Sequence, residues 1–259
     1  MVAAPRCALV TGAASGIGRA TVELLLQRGH RVVAVDRRPE AFDWLPDDGT
    51  VVAVGGDITT EEANATAVAT AVEHFGSLDI AVLNAGMPAS GPLDTLDMAL
   101  FDAAYNVNVR AVALGIRAAM APMRAGGGGS IVITASTAGL GGEQRRWPYA
   151  TAKAAVLNLM RSAAIELALD GIRVNAVCPG PVHTGMTARL ASLPDYDQLR
   201  SMIPLQRWGE PDEVARVICF LASPEASFVT GTTVPVDGGL SSTNHQSLPP
   251  AGQGVRRDR

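Results

Sequence analysis

The chain has 259 residues, of which 47% are hydrophobic and 18% charged, with a formal net charge of -4. This acidic balance excludes nucleic acid as a main partner, because no basic excess is present to neutralise phosphates. No stretch approaches the roughly 20 apolar residues that a membrane-spanning helix needs. The three cysteines are widely spaced and form no CxxC motif, which is typical of free thiols in a reducing compartment and not of a zinc site. We therefore expect a cytoplasmic protein without a metal.

The first element is a short apolar run over residues 7–11 that stops at Gly12, as a buried parallel strand does. Gly16 and Gly18 follow, and a helical pattern then continues to Gly29, which is placed to cap it. A strand, a glycine turn and a helix N-terminus together form an anion site suited to a pyrophosphate. The spacing G-x3-G-x-G differs from the generic dinucleotide fingerprint, and no GK[ST] follows. The turn alone therefore does not exclude the alternative, a glycine-rich turn that binds no phosphate.

The second strand is predicted at residues 31–35, and Asp36 stands at its end. An acidic residue about 20 positions after such a turn is where a ribose 2′-hydroxyl would be bound, and its charge would repel a 2′-phosphate. Arg37 and Arg38 instead favour NADP, because a guanidinium binds a 2′-phosphate well. We give more weight to Asp36, since it occupies the strand end itself, and we predict NAD over NADP.

The middle of the chain continues the alternation of strands and helices, with strands predicted at 51–54, 78–83 and 130–135 and helices at 61–75 and 97–124. After the third strand, Asp57 could meet an adenine edge or merely cap a turn. The small residues N-A-G at 84–86 would let backbone approach a ligand. Asn106 and Asn108 fall inside the long helix, where asparagine is mildly unfavourable and therefore needs a reason.

The fifth strand is followed by Ser136, a glycine-rich loop, and a helix that opens with Tyr149-x-x-x-Lys153. Residues four apart share a helix face, so we expect the Lys153 ammonium beside the Tyr149 phenol. Such a charge lowers a tyrosine pKa from about 10 toward neutrality, as a general acid/base requires. Ser136 could hydrogen-bond the same reacting oxygen. The Tyr–Lys pair alone does not decide the matter, because this spacing is common on exposed helices.

The last third supplies a sixth strand at 173–177, a rigid turn at 178–184, a helix at 211–222 and a final strand at 230–236. We interpret His183 in the turn as a solvated loop histidine. Residues 185–205 suit a substrate lid or an ordinary surface excursion. The residues before Tyr149, Arg145 to Trp147, could face an acidic or aromatic substrate, although we favour solvent or a neighbouring subunit. Residues 240–259 form a polar tail.

Taken together, the ordered motifs resemble the short-chain dehydrogenase/reductase family over about residues 8–239. They are T-G-A-A-S-G-I-G at 11–18, Asp36, Asp57, N-A-G at 84–86, Asn108, Ser136, Y-A-T-A-K at 149–153 and P-G-P-V-H-T at 179–184. One departure is Ala135, where the family often has a second serine. The resemblance agrees with the strand–helix alternation: a single Rossmann-like α/β domain over residues 1–239, with a doubly wound, parallel seven-stranded sheet and helices on both faces.

The resemblance implies a catalytic tetrad. Tyr149 would be the general acid/base, Lys153 would lower its pKa and bind the nicotinamide ribose, and Ser136 would polarise the substrate oxygen. Asn108 would hold a water that relays protons from Lys153. The implied cofactor contacts are Gly12, Ser15, Gly16, Ile17 and Gly18 at the pyrophosphate, Asp36 at the ribose, Asp57 and Ile58 at the adenine, Asn84, Ala85 and Gly86 on the adenosine side, and Pro179, Val182 and Thr184 near the nicotinamide.

The implied activity is NAD-dependent interconversion of a small secondary alcohol and a ketone. Alternatives are an NADPH-dependent carbonyl reductase of the 3-oxoacyl type and a non-catalytic dinucleotide-sensing or scaffold protein. A nucleotide-sugar epimerase or dehydratase is disfavoured, because those relatives usually carry a further substrate domain. The YxxxK spacing is the carbonyl-reducing pattern, whereas enoyl reductases of the wider group space Tyr and Lys further apart. Family members are typically homotetramers or homodimers, joined through the two long helices and the last strand.

Overall fold

A computed structural model of the chain describes residues 5–188 and 200–243. Strands and helices alternate along it: β1 Cys7–Thr11, α1 Gly16–Gln27, β2 Arg31–Asp36, β3 Val51–Gly55, α2 Glu61–Phe75, β4 Ile80–Leu83, α3 Met98–Tyr105, α4 Ala111–Ala125, β5 Gly129–Thr134, α5 Trp147–Glu166, β6 Ile172–Pro179, α6 Pro211–Ala222 and β7 Thr233–Val236. The strands form one sheet in the order β3-β2-β1-β4-β5-β6-β7, with every pair parallel. The predicted doubly wound, seven-stranded α/β fold is confirmed.

The sheet is buried on both faces, which explains why its strands are continuous apolar runs. One core lies against α2, α4 and α5 and includes Leu9, Ile131 and Met160. The other lies against α1 and α6 and includes Val10 and Val132. Neighbouring residues of β1 and of β5 therefore point to opposite cores, as the two-residue period of a strand requires. The central strands are therefore covered on both faces.

The long helix predicted over 97–124 is interrupted by a π-helical turn, Asn106–Arg110, between α3 and α4. The buried Asn108 lies in this turn, and its Nδ2 donates to the carbonyl of Ala104 at 2.9 Å. A side chain that bonds the backbone competes with the regular helical ladder, and single π turns often mark functional sites. The π turn and this hydrogen bond explain why an asparagine occurs inside the predicted helix.

Three other expectations concern the substrate lid, the C-terminal tail and the cysteines. Residues 189–199 of the expected lid and 244–259 of the tail lie outside the described residues. The three cysteines, Cys7, Cys178 and Cys219, are free and buried as expected, and burial raises the pKa of Cys7 to about 12, which makes that thiol inert. Within the described ranges, no helix is long and apolar enough to cross a membrane.

Candidate active site

The predicted site residues gather at the carboxyl edge of the sheet, beside the point where the strand order reverses between β1 and β4. In open α/β sheets, ligands bind in the crevice at this point. Gly12 follows β1 there, Asn84 follows β4, Ser136 follows β5, and Pro179 ends β6. Parallel strands bring these positions together although they are far apart in the chain.

The glycine turn has no room for side chains. A Cβ on Gly18 would lie 2.0 Å from the carbonyl oxygen of Gly12, and one on Gly12 would lie 2.9 Å from the Cα of Ala85. Gly12 and Gly16 also have positive φ, at 65° and 55°, which favours glycine. A Cβ on Gly16 would lie 3.2 Å from Cγ2 of Thr184. The turn is therefore packed against the 84–86 segment on one side and faces Thr184 on the other.

The N-terminus of α1 fits a pyrophosphate. Ser15 is the N-cap residue, but its side chain makes no capping hydrogen bond, and the first turn, with Gly16, Ile17 and Gly18, carries no acidic residue. The first N–H groups of a helix have no partner within the helix and carry partial positive charge. Uncapped N–H groups behind a glycine turn are the donor set that a dinucleotide phosphate requires.

Asp36 is held at the edge of this turn. Its carboxylate accepts hydrogen bonds from the backbone of Ala14 and of Arg38, both at 3.2 Å. The Nε of Arg38 lies 3.8 Å from the same carboxylate, whose side chain is only 11% exposed. Arg37 is exposed. The Asp36 carboxylate is thus fixed in position, and Arg38, one of the two arginines that would favour a 2′-phosphate, is paired with it.

Asp57 caps the turn before α2, which was one of the two alternatives left open for it. Its Oδ1 accepts from the backbone and the hydroxyl of Thr59, at 3.0 and 2.8 Å, and these bonds hold the pKa of Asp57 below its usual value. Ile58 packs against the core under α2. The adenine contacts expected of Asp57 and Ile58 stay predictions.

Asn84 joins three strand ends with its side chain. Its Nδ2 donates to the carbonyls of Thr11 and Gly12 at 3.1 and 3.4 Å, and its Oδ1 accepts from the hydroxyl of Thr134 at 3.1 Å. The Thr11 hydroxyl in turn accepts from the backbone N–H groups of Asn84 and Ala85. The expectation that Asn84 mainly flanks the cofactor missed this role: its amide fastens the ends of β1, β4 and β5 together.

Tyr149 and Lys153 lie together on the buried face of α5, with the Lys153 Nζ 5.6 Å from the centroid of the Tyr149 ring. Lys153 is 3% exposed, and its ammonium donates to the carbonyl of Thr134 at 2.8 Å. Ser136 caps the short turn Thr137–Gly139 by accepting from the Ala138 N–H at 3.1 Å, and it also hydrogen-bonds Tyr149. The predicted serine, tyrosine and lysine are thus brought to one place.

The electrostatics of this group differ from the expectation. Burial raises the pKa of Tyr149 above its usual value, and the charge of Arg146 and the Ser136 hydrogen bond oppose this only in part. Burial also lowers the pKa of Lys153 to about 8, against a smaller upward effect of Cys178. The expectation that Lys153 lowers the pKa of Tyr149 is wrong for this state, because desolvation of both groups outweighs their proximity.

Asn108 fastens the chain after β4 to the π turn. Its Oδ1 accepts from the Met87 N–H at 3.3 Å, and its Nδ2 donates to the Met87 carbonyl at 3.0 Å. A Cβ on Gly86 would lie 2.9 Å from the Asn108 Oδ1 and 3.5 Å from the Lys153 Nζ. Gly86 therefore lies directly against Asn108 and Lys153, and the proton relay through Asn108 stays a prediction.

The turn after β6 closes the other side of the site. The Pro179 carbonyl accepts from the Thr137 hydroxyl at 3.3 Å, the buried Val182 forms a bridge to Gly209, and the N–H of Thr184 donates to the Thr187 hydroxyl at 3.1 Å. His183 stacks on Trp208 with 5.3 Å between the ring centroids. The interpretation of His183 as a merely solvated residue is therefore incomplete.

Comparisons with known proteins agree with this geometry. The family model described as "Enoyl-(Acyl carrier protein) reductase" matches residues 12–241. The chain is 42% identical over 247 residues to cis-4-hydroxycyclohexanecarboxylate dehydrogenase of Sinomonas cyclohexanicum, covering 92% of this chain and 98% of that one. A solved short-chain type dehydrogenase/reductase from Mycobacterium marinum superposes with a TM-score of 0.86 at 33% identity, covering 92% and 96% of the two chains. The chain belongs to the short-chain dehydrogenase/reductase family.

The chain resembles both dehydrogenases and reductases of this family. Besides the dehydrogenase above, the chain is 39% identical over 237 residues to the 3-oxoacyl-[acyl-carrier-protein] reductase of Thermotoga maritima, covering 90% of this chain and 96% of that one. As a short-chain dehydrogenase/reductase, the protein is an oxidoreductase that acts on CH–OH donors with a nicotinamide dinucleotide.

Sequence reasoning missed two supporting threonines and one contact of an arginine. Thr11 and Thr134 were interpreted only as strand residues, yet their hydroxyls hold Asn84 and the Thr134 carbonyl holds Lys153. A polar residue at the carboxyl end of an apolar strand is the signal that would have pointed to them. Arg146 was expected to face solvent or another subunit, and its side chain is indeed 41% exposed, but its guanidinium carbon also lies 4.9 Å from the centroid of the Tyr149 ring.

Proposed function

We propose that this short-chain dehydrogenase/reductase interconverts a secondary alcohol and a ketone with NAD, and that Tyr149 is the general acid/base. The observation that carries the proposal is the joint placement of Ser136, Tyr149 and Lys153 at the sheet edge, beside an uncapped glycine turn. The names of the relatives support the reaction class, since they include dehydrogenases of ring alcohols and a reductase of 3-oxo groups.

The protonation states suit this role. Because burial raises its pKa, Tyr149 is a protonated phenol at neutral pH and can donate its proton to a carbonyl oxygen. Ser136, which hydrogen-bonds the phenol, is placed to hold the same substrate oxygen. Lys153, with a pKa of about 8, can exchange a proton near neutrality and return it toward Tyr149. The nicotinamide ring, when bound, supplies or accepts the hydride.

The cofactor contacts proposed here are those that the geometry supports best. The backbone of the turn from Gly12 to Gly18, with Ser15, would hold the pyrophosphate, and Gly86 leaves space in front of Lys153 for the nicotinamide ribose. NAD is favoured because the Asp36 carboxylate is fixed by two backbone N–H groups where a 2′-phosphate would have to lie. Pairing with Asp36 also offsets the charge of Arg38.

We further propose a homodimer or homotetramer. Large apolar side chains are exposed in the last turn of α5 and just after it, where Ile165 is 80% and Leu169 fully exposed, and before β7, where Phe228 is fully exposed. Burial of such side chains between subunits would remove their apolar surface from water. Light scattering after size-exclusion chromatography tests this, and a monomer at micromolar concentration would contradict it.

The decisive experiment compares Tyr149→Phe with the wild type and with Tyr105→Phe, a control on the exposed surface of α3. A panel of ring and chain secondary alcohols is assayed with NAD+, and binding of NADH and NADPH is titrated by fluorescence. General acid/base catalysis contributes roughly 10²–10⁴-fold, so Tyr149→Phe should lose turnover by about that factor while NADH binding persists. Wild-type turnover in Tyr149→Phe would refute the assignment.

The titration also separates the alternatives. Tighter NADH than NADPH supports the NAD proposal. Tighter NADPH favours the 3-oxoacyl type of reductase, to which the Thermotoga maritima relative and Arg37 and Arg38 point. Binding of NADH without oxidation or reduction of any panel compound would favour a dinucleotide-sensing protein.

A further inference from the structure

A positive charge stands over the face of the proposed general acid/base. The Arg146 guanidinium carbon lies 4.9 Å from the centroid of the Tyr149 ring, within the distance of a cation–π contact. The Arg146 side chain is 41% exposed, so it contacts the phenol ring and remains accessible to a molecule from solvent. A substrate whose oxygen reaches Tyr149 must come close to this guanidinium.

The residues on both sides of Arg146 are fixed in position. Arg145 adopts a left-handed conformation with φ of 63°, and its carbonyl accepts a hydrogen bond from the Gly91 N–H at 2.7 Å. On the other side, the Trp147 ring stacks on Phe101 with 5.4 Å between the centroids. A left-handed arginine costs on the order of 1–3 kcal/mol, and such strain tends to persist where function requires it.

Arg146 pairs with Glu143, and an incoming anion can displace this partner. Its Nη1 lies 2.7 Å from Oε2 of Glu143, whose side chain is 32% exposed, three residues earlier in the same loop. An ion pair this accessible to water contributes only about 0–1 kcal/mol. The charge of Arg146 lowers the pKa of Tyr149 and that of Glu143 raises it, so both groups lie close enough to act on the phenol. An incoming anion therefore meets Arg146 and a weakly held competitor, Glu143.

We propose that Arg146 binds a carboxylate on the substrate, so that the protein acts on hydroxy acids or oxo acids whose acid group lies a few bonds from the reacting carbon. A guanidinium offers two parallel N–H donors that match a carboxylate. Glu143 occupies this position at rest, and the substrate carboxylate displaces it. The inference rests on the proposed function and adds the substrate class to it.

The test uses pairs of substrates that differ only in charge. The alcohol panel contains hydroxy acids and their methyl esters, on ring and chain skeletons, including 4-hydroxycyclohexanecarboxylate. We compare kcat/KM with saturating NAD+ in the wild type, Arg146→Gln, Glu143→Gln and the control Arg216→Gln. Arg216 forms an exposed pair with Asp212 on α6, so its replacement removes the same charge away from the site.

The expected result is a charge preference that depends on Arg146. In the wild type at least one acid exceeds its ester by about tenfold or more, and Arg146→Gln reduces that ratio about 10- to 100-fold, mainly through KM, because a charge-assisted pair is lost. Glu143→Gln raises the ratio, since the competing carboxylate is gone, and Arg216→Gln leaves it unchanged.

Two results would overturn the inference while the proposed function stands. One is Tyr149-dependent oxidation in which no acid exceeds its ester. The other is an Arg146→Gln variant that loses acid and ester equally, which would mean that Arg146 acts through Tyr149 and does not bind substrate. If no alcohol of the panel is oxidised in a Tyr149-dependent way, the proposed function itself fails.

Discussion

Lys153 offers a test that needs no substrate, because it is the only lysine in the chain. Replacing it with Met removes a cation that is buried against Tyr149 and Thr134. A pKa lowered from 10.5 to about 8 corresponds to a cost of about 3 kcal/mol for keeping the ammonium protonated in the folded protein at pH 7. Loss of the hydrogen bond to the Thr134 carbonyl costs about 1–3 kcal/mol. Lys153→Met should therefore abolish turnover but raise the free energy of unfolding by about 1 kcal/mol at pH 7.

The pH dependence is the sharper part of this prediction. Between pH 8 and 10.5 the unfolded lysine binds more protons than the folded one, so the wild type gains stability as the pH rises. Lys153→Met has no such group, so the stability advantage of the variant should fall by about 2 kcal/mol from pH 7 to pH 10. Urea unfolding, followed by tryptophan fluorescence at several pH values, measures this difference. The raised thiol pKa values are common to both proteins and largely cancel.

A direct measurement is also available. With ¹³C-labelled lysine the protein gives a single lysine Cε resonance, since Lys153 is the only one. Its titration midpoint should lie near pH 8. A midpoint near 10.5, together with a stability difference that does not change between pH 7 and 10, would refute the view that desolvation dominates this site.

Two further predictions concern the cofactor end. Asp36→Ala should reduce the preference for NADH over NADPH at least about tenfold, because the charge that repels a 2′-phosphate is gone; an unchanged ratio in a fluorescence titration would assign selectivity elsewhere. Gly18→Ala should lower the melting temperature and abolish NADH binding, since its Cβ would lie 2.0 Å from the Gly12 carbonyl. Gly141→Ala, where no atom lies within 4 Å of the added Cβ, is the control, and normal NADH affinity in Gly18→Ala would contradict the turn geometry.

Much of the fold could be predicted because the sheet is parallel and buried on both faces. Its strands are short valine- and isoleucine-rich runs that end at glycine or polar residues, and helices such as Glu61–Phe75 and Pro211–Ala222 were predicted with the observed bounds. The π turn could not be predicted, because it depends on the contact of Asn108 with Met87, which is 21 residues away in the chain. Local propensity indicated only that an asparagine was out of place.

The members of the site could be predicted from motifs, whereas what each side chain binds could not. Motif order places Asn84 at a strand end, but its contacts with Thr11 and Thr134 span 73 and 50 residues and follow from the sheet order. These contacts take up both polar atoms of the Asn84 side chain. A motif residue can therefore act by fastening the strands that form the candidate site.

The i, i+4 spacing established that Tyr149 and Lys153 are close, but not which protonation states their proximity favours. That outcome depends on desolvation, a property of the whole fold, and here burial drives both groups toward their neutral forms. Arg146 over the Tyr149 ring lowers the pKa of the phenol only in part, and Glu143, which pairs with Arg146, acts in the opposite direction. A substrate carboxylate that displaces Glu143 would leave the guanidinium paired, so the phenol would keep the proton that reduction of an oxo acid consumes.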